Sequence, residues 1–555
     1  MKLSHYLFII MVLSIAHIPC IGSEKTVAQY EIYEIAFEAA NHYENPYIDL
    51  KAEAKLISPD GSIWSIPLFW DGGQIWKLRV SPDIQGKWSY NISSTDNYLN
   101  GISGKFKCEK STCKGSIRNM KGFPHHFQYQ NGEKMWFMGE TAWALFTDNH
   151  EEKHNRSSVE HYLKTRASQG FNAVHSMLLS EAGWGNSGGM PFINMEKQIL
   201  NPDYWKEVDR RIAYANEQGL IAGLVLAWGD KNKKVPFPWR LFPDIEKRKH
   251  YARYIAARYS AYNVYFIVSG EWHAEIRTRQ GSKKKIKSEF IEIGNALTKA
   301  DPHGRMIGIH PMDSGGSTRE FNDADWMSFG DYQQNYLNLH THILESRKFN
   351  KPVINSEYGY YLRDSNGDGI PDKSNSTSLE SMRFASWDII MAGGYLITGF
   401  GTTYFGGYRD PGPFDINASK NNDWERQIGI IKKFFTGIDW WKLEPHDELL
   451  TSNIPRGKED KQYGKIVPPS KTYWLLSEPD KHFILYARGL NDIITLNTKS
   501  GLSAIFSIHL FNPRNGQIKL ISANQKLENE FKWLPPDDND WVLVLKKCSD
   551  KKIKY

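Results

Sequence analysis

Cysteine is scarce in this chain: four occur in 555 residues, at positions 20, 108, 113 and 548. Neither these nor the histidines fall at any zinc-ligand spacing, so no structural zinc is expected, and at most a local Cys108–Cys113 bridge could form in an oxidising compartment. Long apolar runs are missing after the first two dozen residues. Nothing later reaches the roughly 20 apolar residues that a membrane crossing needs, so no membrane span is expected. Internal repeats and low-complexity linkers are absent as well, which predicts units that pack closely. Charge of one sign is also lacking: a net +6 over this length is mild and selects no partner by itself, and nucleic acid is not expected as one.

The first segment of the chain does carry an address. Lys2 precedes an apolar stretch from Tyr6 to Ile21, followed by the small residues Gly22 and Ser23, the layout of a secretory signal peptide. Residues 1–23 are read as that leader, and the mature protein is expected to be secreted, periplasmic or on the cell surface. His17-Ile18-Pro19 does not make a lipobox, so lipid attachment at Cys20 is not expected.

Strand-like runs broken by turn signals (Asn45-Pro46, Pro59-Asp60-Gly61, Asp71-Gly72-Gly73) fill the next stretch, read as an N-terminal β-sandwich over 24–112. From there strands alternate with amphipathic helices. A capping box at Ser157-x-x-Glu160 opens one helix that Gly170 stops, and strands follow at Phe171–Leu179, Leu220–Ala227, Val264–Val268, Met306–Ile309, Trp326–Phe329, Val353–Ile354 and Tyr395–Ile397. With an opening strand at Lys134–Met138 this makes eight, which predicts a (β/α)8 TIM barrel over 113–441. The text then reverts to short strands, read as a C-terminal β-sandwich over 442–555. The predicted fold is therefore multidomain α/β, a central barrel flanked by two β-sandwich domains.

Two strands end alike. Val264-Tyr-Phe-Ile-Val-Ser-Gly leads to Glu271-Trp272, and Pro352-Val-Ile-Asn-Ser leads to Glu357-Tyr358. By count these are the fourth and seventh strands, and strand C-termini form the active face of such barrels. Paired carboxylates in an aromatic setting are what cleavage of a glycosidic bond needs, Glu271 as acid/base and Glu357 as nucleophile in a retaining reaction. Trp272 would exclude water from the proton donor. For any one Glu a helix cap or a surface ion pair is the commoner fate. Glu140 and Glu181 are rival carboxylates at other strand ends. Trp143, Trp184, Trp228, Trp272 and Tyr358 are candidate stacking platforms, and His175, His273, His310, Asp331 and Gln333 candidate partners for sugar hydroxyls.

Two further features bear on ligands. Arg277, Arg279, Lys283, Lys284, Lys285 and Lys287 form a basic loop after Glu271, which would favour a uronate- or sulfate-bearing glycan if it is more than a solvated charge run. Asp364-Ser-Asn366-Gly-Asp368-Gly369-Ile-Pro-Asp372 alternates oxygen ligands around a glycine turn, as calcium loops do, although Asn375 stands where an EF-hand needs Glu. A structural calcium and an Asx-rich turn both fit. No cofactor is expected to be required.

Trp136-Phe-Met-Gly-Glu140-Thr-Ala-Trp143, Tyr204-Trp-Lys-Glu-Val-Asp209 and Leu226-Ala-Trp228-Gly resemble the barrel of the apiosidase-like glycoside hydrolases. Phe69-Trp-Asp-Gly72 and Gly86-Lys-Trp88 resemble the sandwich that often precedes it, and Phe511-Asn-Pro-Arg-Asn-Gly516 a C-terminal sandwich sometimes labelled collagen-binding. The resemblance implies a glycosidase acting on a plant or algal cell-wall polysaccharide or its oligosaccharides. Where that family has Gly-Asp at the first and fourth strand ends, this chain has Gly139-Glu140 and Gly270-Glu271, one methylene longer. A non-catalytic carbohydrate-binding surface protein and a polysaccharide lyase remain as alternatives.

Overall fold

The structure, a computed structural model, describes residues 25–150, 154–181, 183–230, 238–278, 282–312, 316–333, 339–360, 377–399, 423–457, 468–498 and 504–548. The proposed leader and the Asp364–Asp372 segment lie outside them.

The barrel's eight strands are Met138–Thr141, Ala173–Met177, Ile221–Val225, Val264–Ile267, Ile307–Gly308, Gly330–Tyr332, Val353–Tyr360 and Tyr395–Gly399. Neighbouring strands pair in parallel everywhere except between the fifth and the sixth, and the first pairs with the eighth through Met138↔Leu396. Between the fifth and sixth strands the ring is joined by a single parallel bridge, Ile307↔Met327. The strands are buried on both faces because helices cover the outside, which is why their residues read as continuous apolar runs rather than alternating ones.

Three local expectations are corrected. Lys134–Met135 pairs antiparallel in a small basal sheet, and the first barrel strand begins later, at Met138. Glu140 is thereby inside the strand instead of past its end. The cap of the helix Arg156–Ser168 is Asn155, reciprocally bonded with Ser158, because the chain turns helical two residues earlier than a Ser157 cap would need. Cys108 and Cys113 are free thiols: the first is buried with Sγ toward the Pro82 carbonyl, and the second points at Glu31.

The N-terminal sandwich has a five-stranded and a three-stranded sheet, and the C-terminal one a six-stranded and a three-stranded sheet. Both are fastened to barrel helices by buried ion pairs. Arg258, on the helix Ile245–Tyr259, reaches Asp71 of the first sandwich at 2.9 Å and Asp209 of the neighbouring helix at 2.8 Å. Arg488 of the second sandwich forks onto Asp388 at 2.8 Å, and Arg383 holds Asp540 at 2.8 Å. Planar guanidinium forks suit such desolvated pairs, whose rupture leaves an uncompensated charge at about 3–5 kcal/mol.

Candidate active site

Glu271 follows the fourth strand in a left-handed backbone conformation, φ 38°, unusual for a residue with a Cβ. Such strain costs on the order of 1–3 kcal/mol and persists where surroundings enforce it. Here they do. The bridge Trp228↔Gly270 ties the strand end to the third strand, and the Trp228 ring lies so close over Gly270 that a Cβ there would stand 2.0 Å from an indole carbon. The Trp228 indole N–H donates to Glu271 Oε2 at 3.2 Å.

Glu357 is aimed by a different device. Against the eighth strand, three steps on the seventh (Asn355 to Tyr358) match two (Leu396 to Thr398), a one-residue bulge. Regular alternation would send Ser356 and Glu357 to opposite faces, but with the bulge both address His310: Ser356 Oγ at 2.9 Å from Nδ1 and Glu357 Oε2 at 3.2 Å from Nε2. Asp331 receives the Ser356 hydroxyl and lies 3.5 Å from His310 Nδ1. Burial alone would push the His310 imidazole down, but the Asp331 and Glu357 carboxylates outweigh it and hold its pKa up at about 10. His310 is therefore a cation at neutral pH, and burial raises Asp331 despite that cation.

Gln333, just past the sixth strand, joins the two halves. Its amide nitrogen donates to Glu271 Oε1 at 3.1 Å and to Glu357 Oε2 at 3.0 Å. Both carboxylates are nearly closed off, with 9% and 5% exposure. Beneath them Trp143 packs edge-on against Trp228 and His175, and Trp228 packs on His310 with ring centroids 5.4 Å apart. His175 bonds the Tyr265 hydroxyl at 3.1 Å, and burial keeps its imidazole neutral. Tyr265 fits only because Gly223 is opposite, where a Cβ would stand 2.2 Å from the ring.

The structure thus brings Glu271, Glu357, His310, Asp331, Gln333, Trp143, Trp228 and His175 into one cluster. Glu140, Tyr358, Trp272 and His273 are engaged elsewhere. Glu140 points into the helix layer, where Arg166 grips its carboxylate and Tyr162 donates to it at 2.9 Å. Tyr358 also turns outward, its hydroxyl 2.8 Å from Ser386. Trp272 packs on Phe321 and Phe290, so the aromatic that touches Glu271 is Trp228 and not Trp272. His273 stacks beside Trp272 and accepts from the Met312 amide at 3.4 Å, and burial holds its pKa down at about 4. Glu181 and Trp184 are half-buried on the segment after the second strand. The basic loop is partly helix: Lys283, Lys284, Lys285 and Lys287 start Lys283–Lys299, and Lys283 pairs with Glu320 at 2.5 Å. Asp364, Asn366, Asp368 and Asp372 lie outside the described residues. Among the described residues no group of three or more His, Cys, Asp or Glu could hold a metal ion.

Ser356 and Tyr265 escaped the sequence reading. Ser356 gave no signal, because only the bulge turns it inward; Tyr265 could have been found as the one hydroxyl within an otherwise apolar fourth strand.

A ring of eight parallel strands, with two buried carboxylates bridged by one amide at their C-terminal ends, has the architecture of the (β/α)8 barrels, whose sites lie on that face. Residues 124–442 match the family described as Apiosidase-like, catalytic domain, and residues 26–95 match Domain of unknown function (DUF5060). The chain belongs to the apiosidase-like family of glycoside hydrolases. Among solved structures it is similar to a candidate glycoside hydrolase from Bacteroides vulgatus ATCC 8482, at 16% identity and TM-score 0.73 over 95% of this chain and 100% of that one. A glycoside hydrolase family 5 structure from the same organism aligns at 17% identity and TM-score 0.58 over 78% and 93% of the two chains. A third, described as a glycoside hydrolase, aligns at 17% identity and TM-score 0.59 over 79% and 98%. At these identities the likeness concerns the fold. No curated protein matches the chain.

Proposed function

We propose that the protein is an exported, retaining glycoside hydrolase of plant or algal cell-wall glycans, with Glu357 as nucleophile and Glu271 as acid/base. One observation carries the stereochemical reading: a single amide, that of Gln333, reaches both carboxylates at 3.1 and 3.0 Å. Oxygens sharing one nitrogen lie no farther apart than those two lengths laid end to end. If each amide hydrogen serves one oxygen, at directions about 120° apart, the oxygens stand about 5.3 Å apart. That fits the roughly 5–5.5 Å of retaining enzymes and falls short of the roughly 6.5–9.5 Å that an inverting water needs.

In the first step a Glu357 oxygen bonds to the anomeric carbon as the glycosidic C–O bond breaks, and Glu271 gives its proton to the departing oxygen. Water then attacks the same carbon, Glu271 takes its proton, and the bond to Glu357 is released. His310 Nε2 donates to Glu357 Oε2 at 3.2 Å and so fixes the direction of the attacking carboxylate. Export rests on the leader of residues 1–23, and an anionic substrate on the cations Lys284 and Lys285, since Lys283 is engaged by Glu320. The test is proton NMR of the first product formed from cell-wall oligosaccharides. Retained anomeric configuration is expected, with loss of turnover in Glu357→Gln and Glu271→Gln; an inverted first product, or full activity in either variant, overturns the assignment.

A further inference from the structure

A cavity of about 570 Å³ lies away from the barrel mouth, where the N-terminal sandwich meets the barrel helix Ile245–Tyr259. Its size is within the roughly 300–1,000 Å³ of sites that enclose small ligands. Close packing is the rule between fastened units, and the Arg258–Asp71 and Arg79–Asp209 ion pairs clamp this interface. The chamber beside them is left open, so the two units meet around a solvent-accessible cavity.

The floor is aromatic. Trp70 and Trp76 are cross-strand partners in the small sheet, and Tyr47 and Tyr254 meet edge to face at 5.5 Å. Phe69 also lines the chamber, but the guanidinium groups of Arg79 and Arg258 sit over its ring at 4.9 and 4.8 Å, so its faces are already used. The rim is charged: Lys51 and Glu53 from the sandwich, and half-buried Arg253 from the barrel helix. These three side chains make no hydrogen bond or ion pair among the described residues, although the neighbouring interface is dense with them. Lys51 and Glu53 are exposed and hydrated as they stand, and a lipid tail or an apolar partner seated here would strip that water without replacing it. A sugar presents C–H faces to the rings and hydroxyls to the charges.

We propose that this chamber is a second glycan-binding site, holding a short segment of polysaccharide outside the catalytic barrel mouth. The inference rests on the reading of the barrel as glycan-cleaving. Two cations against one anion at the rim favour a segment bearing a carboxylate. Sandwich and barrel both line the site, so it exists only when the two are docked.

The test is hydrogen exchange of the full-length Glu357→Gln protein, which cannot turn substrate over, with soluble pectin, xylan and mannan oligosaccharides as probes. At least one probe is expected to slow exchange several-fold in peptides covering 93–100 and 250–257. That protection is expected to vanish in Lys51→Ala/Arg253→Ala, while any protection around 264–273 and 353–358 stays. Ser93→Trp, which narrows the mouth from the sandwich side, is a second variant and should do the same. Protection confined to the barrel mouth, or unchanged by both variants, overturns the second site and leaves the catalytic reading intact. Protection of the chamber alone supports the second site and counts against the catalytic assignment, and no protection by any probe overturns the second site.

Discussion

The amide nitrogen of Gln333 stands 3.1 Å from Glu271 and 3.0 Å from Glu357, so one neutral side chain sets the spacing of the two acids. Hydrogen bonds to charged groups are worth about 1.5–3 kcal/mol each. Gln333→Ala is expected to lower kcat about 10- to 1,000-fold with little change in melting temperature. Gln333→Glu, which adds a third carboxylate between the two, should do more harm. Steady-state kinetics beside calorimetry checks both.

His310 gives the site a pH signature. Its folded pKa, about 10, lies above the roughly 6.5 of an unfolded imidazole. The stability it contributes is fully present below pH 6.5 and is lost as pH rises toward 10. Melting temperature across this window should fall in the wild type and less steeply in His310→Asn, whose own baseline should drop by about 3–5 kcal/mol because Asp331 loses its cation. An unchanged slope would contradict the His310 charge.

A second buried carboxylate pair predicts the opposite response to mutation. Glu140 and Glu425 share Arg166 inside the helix layer, and burial raises Glu425 well above the ordinary carboxylate range. A raised folded pKa means stability present at low pH and lost as pH rises past the unfolded value near 4.5. Glu425→Gln, which keeps the shape and removes the ionisation, should match or exceed the wild type at pH 7 and above and fall behind by little at pH 4. Denaturant titrations at both pH values decide it.

Gly270 tests the strained turn. A methyl group there would overlap the Trp228 ring, so Gly270→Ala must displace the indole that donates to Glu271. A loss of about 1–3 kcal/mol in stability and a fall in kcat larger than the loss of folded protein are expected, by chemical denaturation and kinetics on the same preparation. Trp228→Phe should keep the fold and lower kcat through the missing N–H.

Much of the ring was legible because parallel strands are buried on both faces: their apolar runs, such as Val264 to Val268, stand out between helices. Boundaries were less so. The opening strand slid from Lys134–Met138 to Met138–Thr141 because the more apolar stretch, Met135–Phe137, lies just before the residues that pair in the ring, and only pairing marks the strand. The direction of each side chain was least legible. Glu140 and Glu271 follow the same Gly-Glu text, yet one turns to Arg166 and the other to Gln333.

The chain's one-dimensional pattern thus determined which residue types stand at the strand ends, since periodicity and burial are local properties. Whether a carboxylate meets its partner was decided by tertiary features. A one-residue bulge at Ser356–Glu357 and a left-handed turn at Glu271 rotate neighbouring side chains by a whole face, and both arise from contacts with strands far away in the sequence.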